Sequence, residues 1–322
     1  MTLDDFRTEW LNGSPVVRAH TSGSTGTPKP VELLKADMLV SARATVDFFG
    51  LGCSSHFVCP LSVDYIAGKM MAVRAWLCGT EPTMLDPSNN PQLPPRSDLL
   101  AVVVSQVPAV IEAVKSGKCR VRNMLVGGSA LHTSLASRIT DEMPNVAAYE
   151  SYGMTETCSH VALRRVGGDG IFRAMKGITF DTDSRRCLRL RLDNYSVKSL
   201  QTNDIVDLLS PTSFRWLGRF DNVINTGALK VYPEQVESEI TILIPDCPSF
   251  YISSEPDPKW GDRVVLVTET CAPDSPFADI SILHDRLAGR LPAHHIPKNI
   301  IYVDALPRTA NGKIRRIRPP RP

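Results

Sequence analysis

Between residues 99 and 150 the chain alternates two kinds of apolar signal. The run LLAVVV at residues 99–104 is short, continuous and rich in valine, the pattern of a strand buried on both faces. Residues 109–115 read as a short helix, 121–126 as a second strand, 133–142 as a helix and 146–150 as a third strand. That rhythm predicts βαβ units and a largely parallel sheet. Upstream, Val16-Val17 leads into a polar loop at residues 20–30, and helical spacing follows over 36–49. Downstream the pattern changes, because residues 187–192 and 205–209 alternate in the manner of a small antiparallel subdomain within 171–218. Beyond residues 218–221 a helix is predicted from Pro233-Glu234, where proline suits a first helical turn. Strands follow at 249–253 and 263–268, a helix at 280–290 and a strand at 299–303, a separate small α+β domain. Ligands of parallel sheets gather at the carboxyl ends of the strands, which makes Gly127-Gly128-Ser129 and Ser151-Tyr152-Gly153 candidate site loops.

Composition narrows the function classes. The 322 residues are 43% hydrophobic and 22% charged, enough chain for two globular domains. With 36 basic against 34 acidic residues the net charge is +2, which gives no electrostatic reason for a nucleic-acid or membrane-surface partner. The start, MTLDDFRTEW, lacks the basic and apolar regions of a secretory signal, and no apolar run approaches the roughly 20 residues of a membrane span. The expectation is a soluble, cytoplasmic protein. Eight cysteines stand without a CxxC or Cys/His ligand spacing and read as reduced, mostly buried thiols. Residues 314–322 are basic and proline-rich, the composition of a solvated tail.

The chemistry is concentrated in one loop. Thr21-Ser22-Gly23-Ser24-Thr25-Gly26-Thr27-Pro28-Lys29-Pro30 packs five hydroxyls, two glycines and a lysine into ten residues. Glycines let successive backbone N–H groups face one anion, hydroxyls donate further hydrogen bonds, and Lys29 adds a point charge, so polyphosphate suits it. A Walker loop is excluded by Pro28, which stands where glycine would precede the lysine. On composition alone a flexible Ser/Thr/Gly linker stays open.

TSGSTGTPKP resembles the phosphate loop of the adenylate-forming superfamily of acyl-CoA synthetases, peptide-synthetase adenylation domains and luciferases, and four further segments match that family in order. The resemblance implies an α/β adenylate-forming fold. Residues 1–220 would form a large AMP-binding domain, shortened at its N-terminus, with a mostly parallel sheet plus an antiparallel subdomain. Residues 221–322 would form a small, mobile α+β lid. In SYGMTET, similar to the family's YGxTE segment, Tyr152 would stack on adenine beside Gly153, Thr155 would bond the α-phosphate and Glu156 would hold Mg²⁺. Gly128 and Ser129 lie in the turn that lets adenine rest against backbone. QTND resembles TGD, with Asp204 accepting the ribose hydroxyls and Asn203 in place of the usual glycine, a residue that also tolerates αL geometry. In GRFDNVINTGALKVYPEQVE the resemblance gives Arg219 a ribose contact, makes Asp221 the hinge, and lines the coenzyme A tunnel with Gly227 and Lys230; Asn225 departs from the family's lysine-like residue. LPRTANGKIR resembles the terminal segment that carries a catalytic lysine, here Lys313.

Together these imply ATP, Mg²⁺ and coenzyme A as cofactors and an acid:thiol ligase that forms an acyl-adenylate and then a thioester. For the acid, residues 60–71 carry Asp64 and Tyr65 at the family's pocket segment and look most like o-succinylbenzoate:CoA ligases of menaquinone biosynthesis. Ser62, Tyr65, Lys69 and Arg74 are the candidate acyl-pocket residues, and either cation suits the carboxylate that does not react. On the residues alone, Lys69 on a surface turn is equally admissible. Typical members carry over a hundred residues before the phosphate loop, and the flank this leaves open would suit a homodimer. Two other readings stand beside the ligase: an adenylation protein loading a carrier protein, and a non-catalytic nucleotide-binding descendant.

Overall fold

Thr2 opens the first helix, α1 (Leu3–Leu11), with a capping box in which its hydroxyl accepts from Asp5 N and the Asp5 carboxylate accepts from Thr2 N. The structure, a computed structural model, describes residues 1–20, 30–308 and 314–318. Strands β1 (Val16–His20) and β2 (Pro30–Leu34) form an antiparallel ribbon whose last pair, His20 with Pro30, brackets residues 21–29. The phosphate-loop expectations for Thr21, Ser22, Gly23, Ser24, Thr25, Gly26, Thr27 and Lys29 lie outside the described residues, as does Lys313.

The chain continues through α2 (Lys35–Phe49), β3 (Phe57–Cys59), α3 (Ile66–Leu77), β4 (Thr83–Met84), β5 (Arg96–Val103), α4 (Val107–Lys115), β6 (Arg120–Gly127), α5 (Thr133–Glu142) and β7 (Ala147–Gly153). The strands β4-β3-β5-β6-β7 pair in parallel, as the alternation of strand and helix requires. The period of two along β5 decides the layers: Leu99 and Ala101 join the core that takes in Phe49, Met71 and Ala75 from α2 and α3. Leu100 and Val102 join the core under α4 and α5, with Val110, Ile111 and Ile139.

At the end of β7 the chain turns tightly and returns antiparallel as β8 (His160–Arg165), so no crossover helix is needed. There follow β9 (Phe172–Ala174), β10 (Ile178–Thr182), β11 (Cys187–Leu192), β12 (Ser199–Ser210) and β13 (Ser213–Arg219), all paired antiparallel. The expected antiparallel subdomain is therefore continuous with the parallel half in one mixed sheet of eleven strands. A second core of Ile224, Val236, Ile240, Leu266, Leu283 and Leu287 is built from β14 (Ile224–Thr226), β15 (Leu229–Val231), α6 (Pro233–Leu243), β16 (Phe250–Asp257), β17 (Gly261–Glu269), α7 (Ile280–Leu287) and β18 (Ile300–Val303). Its sheet has the order β15-β14-β17-β16, with β18 added parallel to β17.

The cysteines are all free thiols, four of them buried, Cys78, Cys247 and Cys271 half-buried, and Cys53 exposed. Among the described residues no helix is long and apolar enough to cross a membrane.

Candidate active site

The carboxyl ends of β6 and β7 meet side by side, and Ser151 Oγ donates to the Val126 carbonyl at 3.1 Å. Gly128 leaves β6 at φ 86°, a left-handed turn that a side chain would strain, and Ser129 follows half-buried. Tyr152 carries its hydroxyl onto β12, where it donates to Asp204 Oδ2 at 2.7 Å. Trp216 Nε1 donates to the other oxygen at 3.3 Å, and Asp204 stands opposite Arg219 in the β12–β13 register. Arg219 in turn pairs with Asp221 at 3.1 Å, and Asn203 reaches the same carboxylate at 3.3 Å. Residues 52 apart in sequence thus share one hydrogen bond, and the chain of contacts runs from Tyr152 to Asp221. Burial and the Asp204 carboxylate both push the Tyr152 phenol well above its ordinary range, so its proton stays on the oxygen.

The turn after Tyr152 is locked by its own side chains. Thr157 Oγ1 accepts from Met154 N at 3.0 Å and donates to the Ser159 carbonyl at 2.7 Å, and Cys158 adopts φ 61°. Gly153 fits only as glycine, since a Cβ there would come within 2.3 Å of the Ser159 carbonyl oxygen. The turn buries Thr155 and leaves Glu156 exposed. Among the described residues no three His, Cys, Asp or Glu side chains converge as a metal cage. A single exposed carboxylate suits a magnesium ion that arrives on phosphate oxygens and keeps most of its shell from them and from water.

The acyl-pocket candidates divide. Ser62 donates to Asp64 at 2.7 Å, Asp64 pairs with the Met1 ammonium at 3.0 Å, and Tyr65 stands exposed at the start of α3. Lys69 is not on a surface turn: it lies within α3, 1% exposed, with Nζ 4.2 Å from the Phe6 ring centre and 3.4 Å from Glu9. Burial lowers its pKa, and the Glu9 carboxylate opposes that shift. Arg74, on the same helix, is 3% exposed and has other neighbours: its Nη2 donates to Ser159 Oγ, directly behind the Tyr152 turn. Among the described residues no carboxylate pairs with Arg74, its Nε–H has no acceptor, and burial pushes its pKa down to about 10. The two cations therefore do not converge.

Past Asp221, Asn222 Nδ2 donates to Glu234 Oε1 at 2.6 Å, tying the end of the large sheet to α6. Arg316 pairs with Glu234 at 3.5 Å and also with Glu237, whose carboxyl burial pushes up to about 7 against the pull of that arginine. Gly227 N–H donates to the Trp260 carbonyl at 2.7 Å, and Lys230 is exposed on β15. Arg308 and Ile314 bridge across residues 309–313.

Sequence reasoning missed Ser159, His160 and Trp216. The first two follow SYGMTETC directly, Ser159 in the turn and His160 as the first residue of β8, whose apolar signal is the short run at residues 161–163.

The family model for AMP-binding enzymes matches residues 7–179. This chain belongs to the AMP-binding enzyme family. Among its AMP-binding relatives, a crystal structure of an acyl-CoA synthetase (AMP-forming)/AMP-acid ligase II-like protein from Dyadobacter fermentans is 33% identical, with 96% of this chain and 90% of that one covered at a TM-score of 0.62. The 2-succinylbenzoate–CoA ligase of Listeria monocytogenes is 27% identical over 92% of this chain and 68% of its own length. The o-succinylbenzoate CoA synthetase of Bacillus subtilis, solved with its acyl-adenylate intermediate, shares the fold at a TM-score of 0.75 and 22% identity, over 92% of this chain and 67% of that one.

Proposed function

We propose that this AMP-binding enzyme is an acid:CoA ligase whose acid is o-succinylbenzoate. The carboxylate attacks the α-phosphorus of ATP, releasing pyrophosphate and leaving an acyl-adenylate. The thiol of coenzyme A then attacks the acyl carbon, releasing AMP and the thioester. The observation that carries the reading is the convergence of Tyr152 and Asp204. A carboxylate offers about four lone-pair directions, and Tyr152 and Trp216 occupy two, which leaves two for the ribose hydroxyls. Tyr152 presents its ring to adenine over the turn of Gly128, Ser129 and Gly153, and Arg219 approaches the same ribose. Thr155 bonds the α-phosphate, and Glu156 would hold a magnesium ion, which would offset charge on the departing pyrophosphate. The loop from Thr21 to Lys29 takes the remaining phosphates.

Lys313 neutralises the two anions that must approach each other in the first step. In the second step the lid turns at Asp221 and brings Gly227 and Lys230 toward the thiol. For the acid, the support comes from Arg74: a buried guanidinium with no carboxylate partner among the described residues is costly, and the second carboxylate of an aromatic dicarboxylic acid would offset it. Lys69 is already engaged by Glu9 and Phe6, and Ser62 and Tyr65 flank the start of α3 nearby. The names of the Listeria and Bacillus relatives agree with this acid.

The test is exchange of labelled pyrophosphate into ATP, and thioester formation, with o-succinylbenzoate, benzoate and acetate. The expected result is exchange and free acyl-CoA with o-succinylbenzoate foremost. A clear preference for a monocarboxylate rejects the acid, product found only on a carrier protein rejects coenzyme A, and exchange with no acid rejects the enzyme.

A further inference from the structure

Behind the Tyr152 turn, four polar side chains from three elements form an unbroken hydrogen-bonded line. Thr45 on α2 has its Oγ1 3.0 Å from the Ser41 carbonyl and 3.2 Å from His160 Nε2. His160 Nδ1 lies 3.2 Å from Ser159 Oγ, and Ser159 Oγ receives the Arg74 guanidinium from α3. The imidazole is 8% exposed and Arg74 3%.

Counting protons sets the direction of every bond. Ser159 Oγ accepts from Arg74, so its own proton needs an acceptor, and His160 Nδ1 is the one in reach among the described residues. Nδ1 is then bare and the proton of the neutral imidazole sits on Nε2, where it is donated to Thr45 Oγ1. Thr45 passes its own proton to the Ser41 carbonyl. The opposite tautomer would put a proton on Nδ1 facing Ser159 and leave the half-buried Ser159 hydroxyl without a protein acceptor among the described residues. Burial, reinforced by Arg74, holds His160 well below the ordinary imidazole range and so keeps it neutral.

We infer that His160, with Ser159 and Thr45, is a positioning relay that aims the Arg74 guanidinium at the non-reacting carboxylate, and so sets the preference for a dicarboxylic acid. This rests on the dicarboxylate reading above. The relay fixes Nη2 through a neutral hydroxyl, Nη1 lies 3.6 Å from Met71 Sδ, and Nε–H is buried with no acceptor of its own, the group that a ligand carboxylate would satisfy. An arginine held by a carboxylate instead would have its fork taken already.

The test compares o-succinylbenzoate with 4-oxo-4-phenylbutanoate, the same keto acid without the ring carboxylate, by pyrophosphate exchange. The wild type, His160→Leu, His160→Asn and Ser159→Ala are measured. Losing one aligned hydrogen bond of this kind should lower the dicarboxylate preference about tenfold in His160→Leu and in Ser159→Ala, through KM for the dicarboxylate more than through kcat. His160→Asn puts an oxygen acceptor about where Nδ1 stood and should stay within about threefold of the wild type. A residue that merely fills the core would rank the other way, leucine above asparagine, and that ranking overturns the inference. Equal losses with both acids overturn it too. A wild type without preference for the dicarboxylate removes the reading beneath the relay, whereas a wild-type preference that survives His160→Leu removes the relay alone. Should His160→Leu fail to fold, Ser159→Ala at its half-buried position carries the same expectation.

Discussion

Asp204 and His160 each owe their setting to partners far along the chain. Asp204 would be an ordinary strand aspartate but for the Tyr152 hydroxyl and the Trp216 indole, which orient its carboxylate and leave half its acceptor capacity for a ligand. His160 has a consequence for acid stability. Its folded pKa lies below the unfolded value of about 6.5, so the folded state resists taking up a proton that the unfolded chain accepts. The stability it contributes is present above pH 6.5 or so and is lost as pH falls below it, at up to about 1.4 kcal/mol per pH unit. Chemical denaturation of wild type and His160→Asn at two pH values, one on each side, should show the wild type losing about 1 kcal/mol more on acidification. Parallel profiles would mean that the imidazole is not held neutral.

At the scale of elements, how much was legible depended on whether the local pattern matched the local environment. Helix α5 falls on the residues that its spacing predicts, 133–142, because one face is apolar and the other polar. Helix α3 was invisible: it is buried nearly all round, and of its two candidate pocket cations Lys69 was equally admissible on a surface turn, whereas both are core. Strand β3 is three residues long, too short for a period. The segments that mark the family were legible because they are characteristic in themselves, whereas Ser159 and His160 contact Arg74 and Thr45, which no local pattern announces. The loop joining β11 to β12 gives a test of such long-range contacts. Asp37 at the start of α2 accepts from Ser196 N at 2.9 Å and from the Ser196 hydroxyl. Asp37→Ala should cost about 1.5–3 kcal/mol for the lost charge-assisted bonds, read as a lower urea midpoint with unchanged slope. A shift of only a few tenths of a kcal/mol would show that the loop is held by packing instead.

At the scale of the molecule, the core of α6, α7 and β14–β18 meets the large sheet through both polar and apolar contacts. Thr133 on α5 faces Ser238 on α6 at 3.3 Å, and Asn222 binds Glu234. The contact also has an apolar part, where Val223 and Tyr232 pack against Ile205 and Leu217, and the rotation proposed above would have to part it. Asp221→Pro, at the proposed hinge, should depress thioester synthesis more than pyrophosphate exchange, while Lys313→Ala should do the reverse when acyl-adenylate is supplied. Equal collapse of both half-reactions in either variant would count against the rotating lid. The thiols give a further way to watch the site. Cys59 and Cys158 are buried beside Arg74 and the Tyr152 turn, and burial pushes both up to about 12, so neither is nucleophilic while the fold is closed. Cys53, exposed, reacts at once. Slow alkylation of Cys59 and Cys158 is therefore a clock for transient opening around Arg74, and its slowing by a bound acid would measure occupancy of the proposed acyl site without any turnover.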